Sequence, residues 1–245
     1  MSYSLTQVRP LCPLALVILA ACGPPRFDGR TATEWMDTLE ASSGAELAQL
    51  EDAEAVPILM EIVRSDRTKA RLMAIQVLTR LGPDAKDAVP ALTEALAAKE
   101  PAVRAFAALA LGRIGKPAMD ALVPLEQALH DPHARVRVAA ALAVWGIARH
   151  LETTRAVLWQ ALTSNDPRVR AMAAQAFGEL GDEAVELMIV ALIDRDEQVR
   201  AAAAETLGRI GAGSDAARQA LTEATQDHSP AVAAAAKEAL AALGS

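Results

Sequence analysis

Six copies of one short pattern constrain this chain more than anything else in it. EPAVRAFAALALGRIG (100–115), DPHARVRVAAALAVWG (131–146), DPRVRAMAAQAFGELG (166–181) and DEQVRAAAAETLGRIG (196–211) align without a gap; TKARLMAIQVLTRLG (68–82) and SPAVAAAAKEALAALG (229–244) are looser copies. Their closing glycines, Gly82, Gly115, Gly146, Gly181, Gly211 and Gly244, stand 33, 31, 35, 30 and 33 residues apart. Self-similarity at that period is the signature of stacked supersecondary units rather than of one closed core.

Each copy reads as a helix with its ends marked. Asp131, Asp166 and Asp196 suit the N-cap, and Pro101, Pro132, Pro167 and Pro230 fall in the first turn, where a missing N–H costs nothing. Glycine at the far end suits a left-handed C-cap. A second apolar-periodic stretch follows, as in DAVPALTEAL (87–96), DALVPLEQAL (120–129) and EAVELMIVAL (183–192). Each unit is therefore expected to be a helical hairpin that cannot bury its apolar face alone, and stacking makes the core. Composition agrees: the chain is 52% apolar but only 3% aromatic, so the core must come from Ala, Leu, Val and Ile, and strand formers are scarce.

The pattern D-P-x-V-R-x-x-A-A-x-A-L-G-x-I-G resembles HEAT repeats, specifically the short variety named after phycobilisome lyases. The resemblance covers about residues 53–245 and implies an all-α, right-handed α-solenoid of stacked helical hairpins. FDGRTATEWMDTLE (27–40) is expected to add a divergent N-terminal helical cap, with Trp35 and Leu39 on one face. The resemblance also bears on the arginines aligned at Arg71, Arg104, Arg135, Arg170 and Arg200, where the last copy has Ala233. In HEAT-like repeats this arginine serves the structure, bonding turn carbonyls or the next repeat's aspartate; the rival reading is a ladder for an anionic partner.

The first residues suggest an address. Arg9 is the only charged side chain before Cys22, and LCPLALVILA (11–20) is about half the length that spans a bilayer as a helix. A short basic start, a brief apolar run and small residues before a cut describe a secretory signal. Leu19-Ala20-Ala21-Cys22 resembles the lipobox of bacterial lipoproteins, which implies lipidation of Cys22 after removal of residues 1–21, with Gly23, Pro24 and Pro25 opening a tether. The expected organisation is a signal peptide (1–21), a tether and cap (22–52) and the repeat array (53–245). By resemblance to sorted lipoproteins, Gly23 rather than Asp after the cysteine implies, in a bacterium with two membranes, the outer membrane of the cell envelope, facing the periplasm. Cleavage would leave one cysteine and no disulfide, which export tolerates.

Charge narrows the partners. Removing residues 1–21, which hold Arg9 and no acid, leaves 23 basic and 31 acidic side chains, a formal charge of −8. That repels nucleic acid. No nucleophile elbow, Walker loop or dinucleotide fingerprint is present. None of His130, His133, His150 and His228 precedes a glutamate, so the His-Glu pairs of the HEAT-type iron hydroxylase are missing. HDPH (130–133) gathers two histidines and Asp131, short of the three or four converging ligands a metal needs. The expectation is a non-catalytic scaffold with no cofactor and no metal, binding an unidentified protein or peptide; the alternative is a lyase-like enzyme or accessory subunit related to the phycobilisome lyases.

The partner surface is expected on the second helices. A column there runs Glu61, Glu94, Gln127, Gln160, Val190 and Glu223, either an acidic face for a basic partner or a merely solvated one. Trp159, Ile189 and Val190 stand off the core columns fixed by Leu158, Leu162, Met188 and Leu192, and are expected to form one apolar patch. The competing reading places Trp159 in a core gap.

Overall fold

The computed structural model describes residues 24–41 and 50–244; the expected signal segment (1–21) and the expected lipidation site Cys22 lie outside them. The one departure from pure helix among the described residues is a short hairpin. Strands β1 (Arg26–Phe27) and β2 (Arg30–Thr31) pair antiparallel around Asp28 and Gly29, with φ of 50° and 74°. Two positive φ angles in a two-residue loop suit the twist of paired strands, and Asp-Gly supplies them readily. Helix α1 (Ala32–Ala41) starts at once. Thr31 and Glu34 form a reciprocal cap: the Thr31 amide donates to Glu34 Oε2 at 2.8 Å and the Glu34 amide to Thr31 Oγ1 at 3.4 Å. Trp35 and Leu39 are both fully buried, as their spacing predicts.

Helical hairpins then repeat. Helix α1 packs on α2 (Val56–Arg64) and on α3 (Thr68–Leu81), so it joins the stack directly. The following helices are α4 (Val89–Ala95), α5 (Pro101–Ile114), α6 (Leu122–Ala128), α7 (Ala134–Ala148) and α8 (Leu151–Leu162). The array ends with α9 (Pro167–Phe177), α10 (Val185–Ala191), α11 (Glu197–Ile210), α12 (Asp215–Ala224) and α13 (Pro230–Gly244). Odd-numbered helices are the first helices of the units and form one layer; even-numbered ones form the other. The expected α-solenoid of stacked hairpins is what the chain builds.

The first-helix layer is the tighter of the two, because it is made of alanine and glycine. A Cβ on Gly112 would sit 2.8 Å from the Ala143 Cα, and one on Gly208 would sit 2.8 Å from the Ala239 Cα. Backbones that approach this closely draw that layer together. Gly82, Gly115 and Gly181 take positive φ (55°, 74° and 68°), which suits glycine, but their ψ of −126°, −140° and −142° lies outside the left-handed cap the sequence suggests. Gly146 does not take a positive φ: α7 runs through it to Ala148 and ends on Arg149, a left-handed residue with φ 56°. Gly211 has φ −85°, and Gly244 lies inside α13.

The behaviour of Gly146 has a simple origin. The copy at 131–146 carries two extra residues before its helix, so Val136 rather than Ala134 aligns with Val103, Val169 and Val199. Nine residues on from these valines stand Gly112, Trp145, Gly178 and Gly208. Trp145 thus takes the place where α5, α11 and the end of α9 keep glycine; on α5 and α11 that glycine meets the next helix's backbone, and at the end of α9 it leaves room for the Arg209 side chain. Its indole donates to the Glu179 carbonyl at 2.9 Å and spaces α7 from α9, which from α3 onward are the least closely packed adjacent first helices. Most of the buried apolar residues accordingly fall into two clusters, one from Ala32 to Ile147 and one from Val138 to Ala239, that meet only at α7.

Candidate interaction surfaces

The arginine column is structural. Arg104 donates through Nη1 to the Ala98 and Lys99 carbonyls at 2.8 and 2.9 Å, and grips Asp131 of the next repeat at 2.7 and 3.1 Å. Arg170 does the same with Ser164, Asn165 and Asp194, and Arg200 with Asp194, Arg195 and Asp227. The planar guanidinium fork fits both a turn and a carboxylate. One member of the column is corrected by the two-residue shift: Arg137, not Arg135, bonds the Asp131 and Pro132 carbonyls at 2.9 and 3.2 Å. Arg135 instead lies over the Phe106 ring, 5.6 Å from its centroid.

The same shift corrects a cap. Asp166 and Asp196 accept from the amides of Arg168 and Gln198 as N-caps, but His133 occupies the cap of α7 and Asp131 joins Asp194 and Asp227 as a ladder acid. Both Asp131 oxygens are taken by Arg104 and the His133 amide. His130 and His133 are exposed at its rim.

Electrostatics follow the ladder. Burial pushes Asp131 up, but the Arg104 fork and the His133 amide outweigh it and hold the carboxyl below its usual range. Hydrogen bonds from Arg170 and Arg200 lower Asp194 and Asp227 in the same way. A carboxyl depressed in the folded state contributes stability above its unfolded pKa of about 3.9, and that contribution disappears as pH falls through the lower folded value. The urea midpoint is therefore expected to drop progressively as pH goes from about 5 towards 2. Asp227→Asn, already weaker at neutral pH, should show a shallower drop; an equal slope would mean that this pair carries none of it.

The proposed apolar patch on the second helices is divided. Trp159 is 46% exposed, which rules out the core-gap reading, and Val190 is 55% exposed, but Ile189 is half-buried against the second core cluster. Trp159 borders a 400 Å³ hollow with Arg155, Glu186 and Leu187, whereas Val190 and the exposed Ile193 border another of 530 Å³ beside Arg170 and Asp194. The acidic column is partly self-satisfied: Glu94 accepts from Arg64 at 2.8 and 3.1 Å, Glu223 from Gln219 at 3.2 Å, and Glu61 is half-buried.

The larger hollow is on the other layer. About 700 Å³ of open space runs across α5, α7, α9, α11 and α13, lined by Leu109, Leu142, Met172, Gln175, Glu205 and Glu238 among others. Regular hairpins, close-packed first helices, an arginine–aspartate ladder from repeat to repeat and one continuous hollow are the marks of a helical repeat array. The sequence pattern of the family described as HEAT repeats matches residues 56–145, 122–189 and 154–241. The chain belongs to the HEAT-repeat family.

Solved structures similar to this HEAT array are distant. An engineered protein shares 23% identity over 77% of this chain and 96% of its own, with a TM-score of 0.47. A designed armadillo repeat protein shares 19% over 77% and 99%, with a TM-score of 0.45. Human deoxyhypusine hydroxylase in complex with glycerol shares 23% over 97% and 93%, with a TM-score of 0.43. No curated protein matches.

The partner surface expected from the sequence lies on the second helices of the HEAT units, and the first-helix hollow was not among the expectations. A signal was present. Leu109, Leu142, Gln175, Glu205 and Glu238 each stand six residues after the aligned valine, but only with the two-residue shift applied does the row come into line.

Proposed function

We propose that this HEAT-repeat protein is an exported, lipid-anchored scaffold of the bacterial envelope, non-catalytic, which holds another protein or peptide along its first-helix layer. One observation carries the binding role: the hollow across five repeats is edged by side chains, Gln175, Glu205 and Glu238, that the array does not use for its own hydrogen bonds or ion pairs among the described residues. Extended concave surfaces are how solenoids offer area without a pocket. The anchoring role rests on the run Leu19-Ala20-Ala21-Cys22 and its short apolar lead. No described helix is long and apolar enough to cross a membrane, so attachment in this reading is by acyl chains alone, at about 0.8 kcal/mol per buried methylene.

Both halves are tested in one strain. Radiolabelled palmitate should enter the wild-type protein and not Cys22→Ser, and a photocrosslinker at Gln175 should give a discrete adduct in intact cells. Labelling that survives Cys22→Ser ends the lipoprotein reading; a Gln175 probe that captures nothing ends the scaffold reading at this face.

A further inference from the structure

The hollow is graded along its length. The row six residues beyond each aligned valine runs Leu109, Leu142, Gln175, Glu205, Glu238, so apolar side chains at α5 and α7 give way to an amide at α9 and carboxylates at α11 and α13. Leu109 and Leu142 are half-buried, whereas Gln175, Glu205 and Glu238 are exposed. The two arginines that share the hollow are otherwise engaged: Arg135 lies over Phe106, and Arg209 donates to the Gln175 carbonyl at 3.2 Å. Glu205 and Glu238 have no such engagement among the described residues.

From this the geometry points to a specific occupant: an extended peptide segment with apolar side chains at one end and lysine or arginine at the other, lying across the first helices. This deepens the scaffold reading and rests on it. Four helix-to-helix steps of about 9 Å span about 36 Å, the reach of roughly ten extended residues. Leucines meet the apolar end of such a segment at α5 and α7. Its cations meet Glu205 and Glu238, where opposite charge sets register and speeds encounter. The loosely packed gap between α7 and α9 is the second of the four steps along this path.

The probe is a fluorescein-labelled decapeptide with leucine at its first and third positions, lysine at its eighth and tenth, and glycine and serine elsewhere. Two controls replace the lysines with glutamates or the leucines with serines. The expected result at low salt is binding at least about tenfold tighter than either control, weakening as salt shortens the reach of charge. Glu205→Lys together with Glu238→Lys, both at exposed positions, should cost about tenfold for the lysine peptide and transfer preference to the glutamate peptide, with an unchanged circular dichroism spectrum. Equal binding of the glutamate peptide, or no binding of any peptide, overturns the graded groove. Binding indifferent to the charge reversal but lost in Trp159→Ala also overturns it, while leaving the scaffold reading intact on the second-helix face.

Discussion

Arg200→Ala should cost about 3–5 kcal/mol, because it breaks a buried pair and strands its partner. Arg200 is only 4% exposed, and it closes four contacts at once: Asp227 at 2.8 and 3.0 Å, the Asp194 carbonyl at 2.9 Å, the Arg195 carbonyl at 3.3 Å and His228 Nε2 at 3.1 Å. Without the guanidinium, the Asp227 carboxylate keeps the Ser229 amide and loses its counter-charge. Arg200→Lys should recover only part, since an ammonium cannot span a carboxylate and two carbonyls in one plane. Adding Asp227→Ala to Arg200→Ala should regain stability, which separates a stranded charge from lost packing. Urea unfolding measures all three, and a loss below about 1 kcal/mol for Arg200→Ala would count against the ladder as a source of stability.

Trp35→Ala should be as severe but confined in space. The indole is fully buried, donates to the Phe27 carbonyl at 3.0 Å and is the largest side chain holding the β1–β2 hairpin and α1 to the stack. Truncating a buried tryptophan costs about 3–5 kcal/mol. In an array whose units contact only their neighbours, that loss stays near its origin. Hydrogen exchange should accelerate across α1 to α3 and remain unchanged across α9 to α13. Uniform acceleration along the chain would show a single cooperative unit instead.

The fold was legible because period, caps and composition all agree on helical hairpins. The buried face was legible too: Trp35, Leu39, Leu158 and Met188 are fully buried as their spacing requires, with Leu162 and Leu192 nearly so. What misled was the stretch HARVRV (133–138), which offers two arginines two residues apart beneath an Asp-Pro that mimics a cap. Only packing decides between them, since Arg137 reaches the turn carbonyls and Arg135 does not. The first-helix hollow was illegible for a related reason. Polar columns occur on both layers, and the layer that is drawn together is set by pairs of close approaches such as Gly112 on Ala143, which no single helix's pattern contains.

Trp145 gives the molecule a mechanical character that its glycine-lined joints lack. On either side of it, α5 meets α7 and α11 meets α13 backbone to backbone at Gly112 and Gly208, contacts with no side-chain layer between them to yield. At α7 and α9 an indole held by one hydrogen bond to Glu179 stands between the two helices like a compressible bushing. A load applied across the array would fall first on this joint, the least closely packed of the first-helix layer from α3 onward. A bend there would widen or narrow the hollow while the backbone contacts at Gly112 and Gly208 keep their shape.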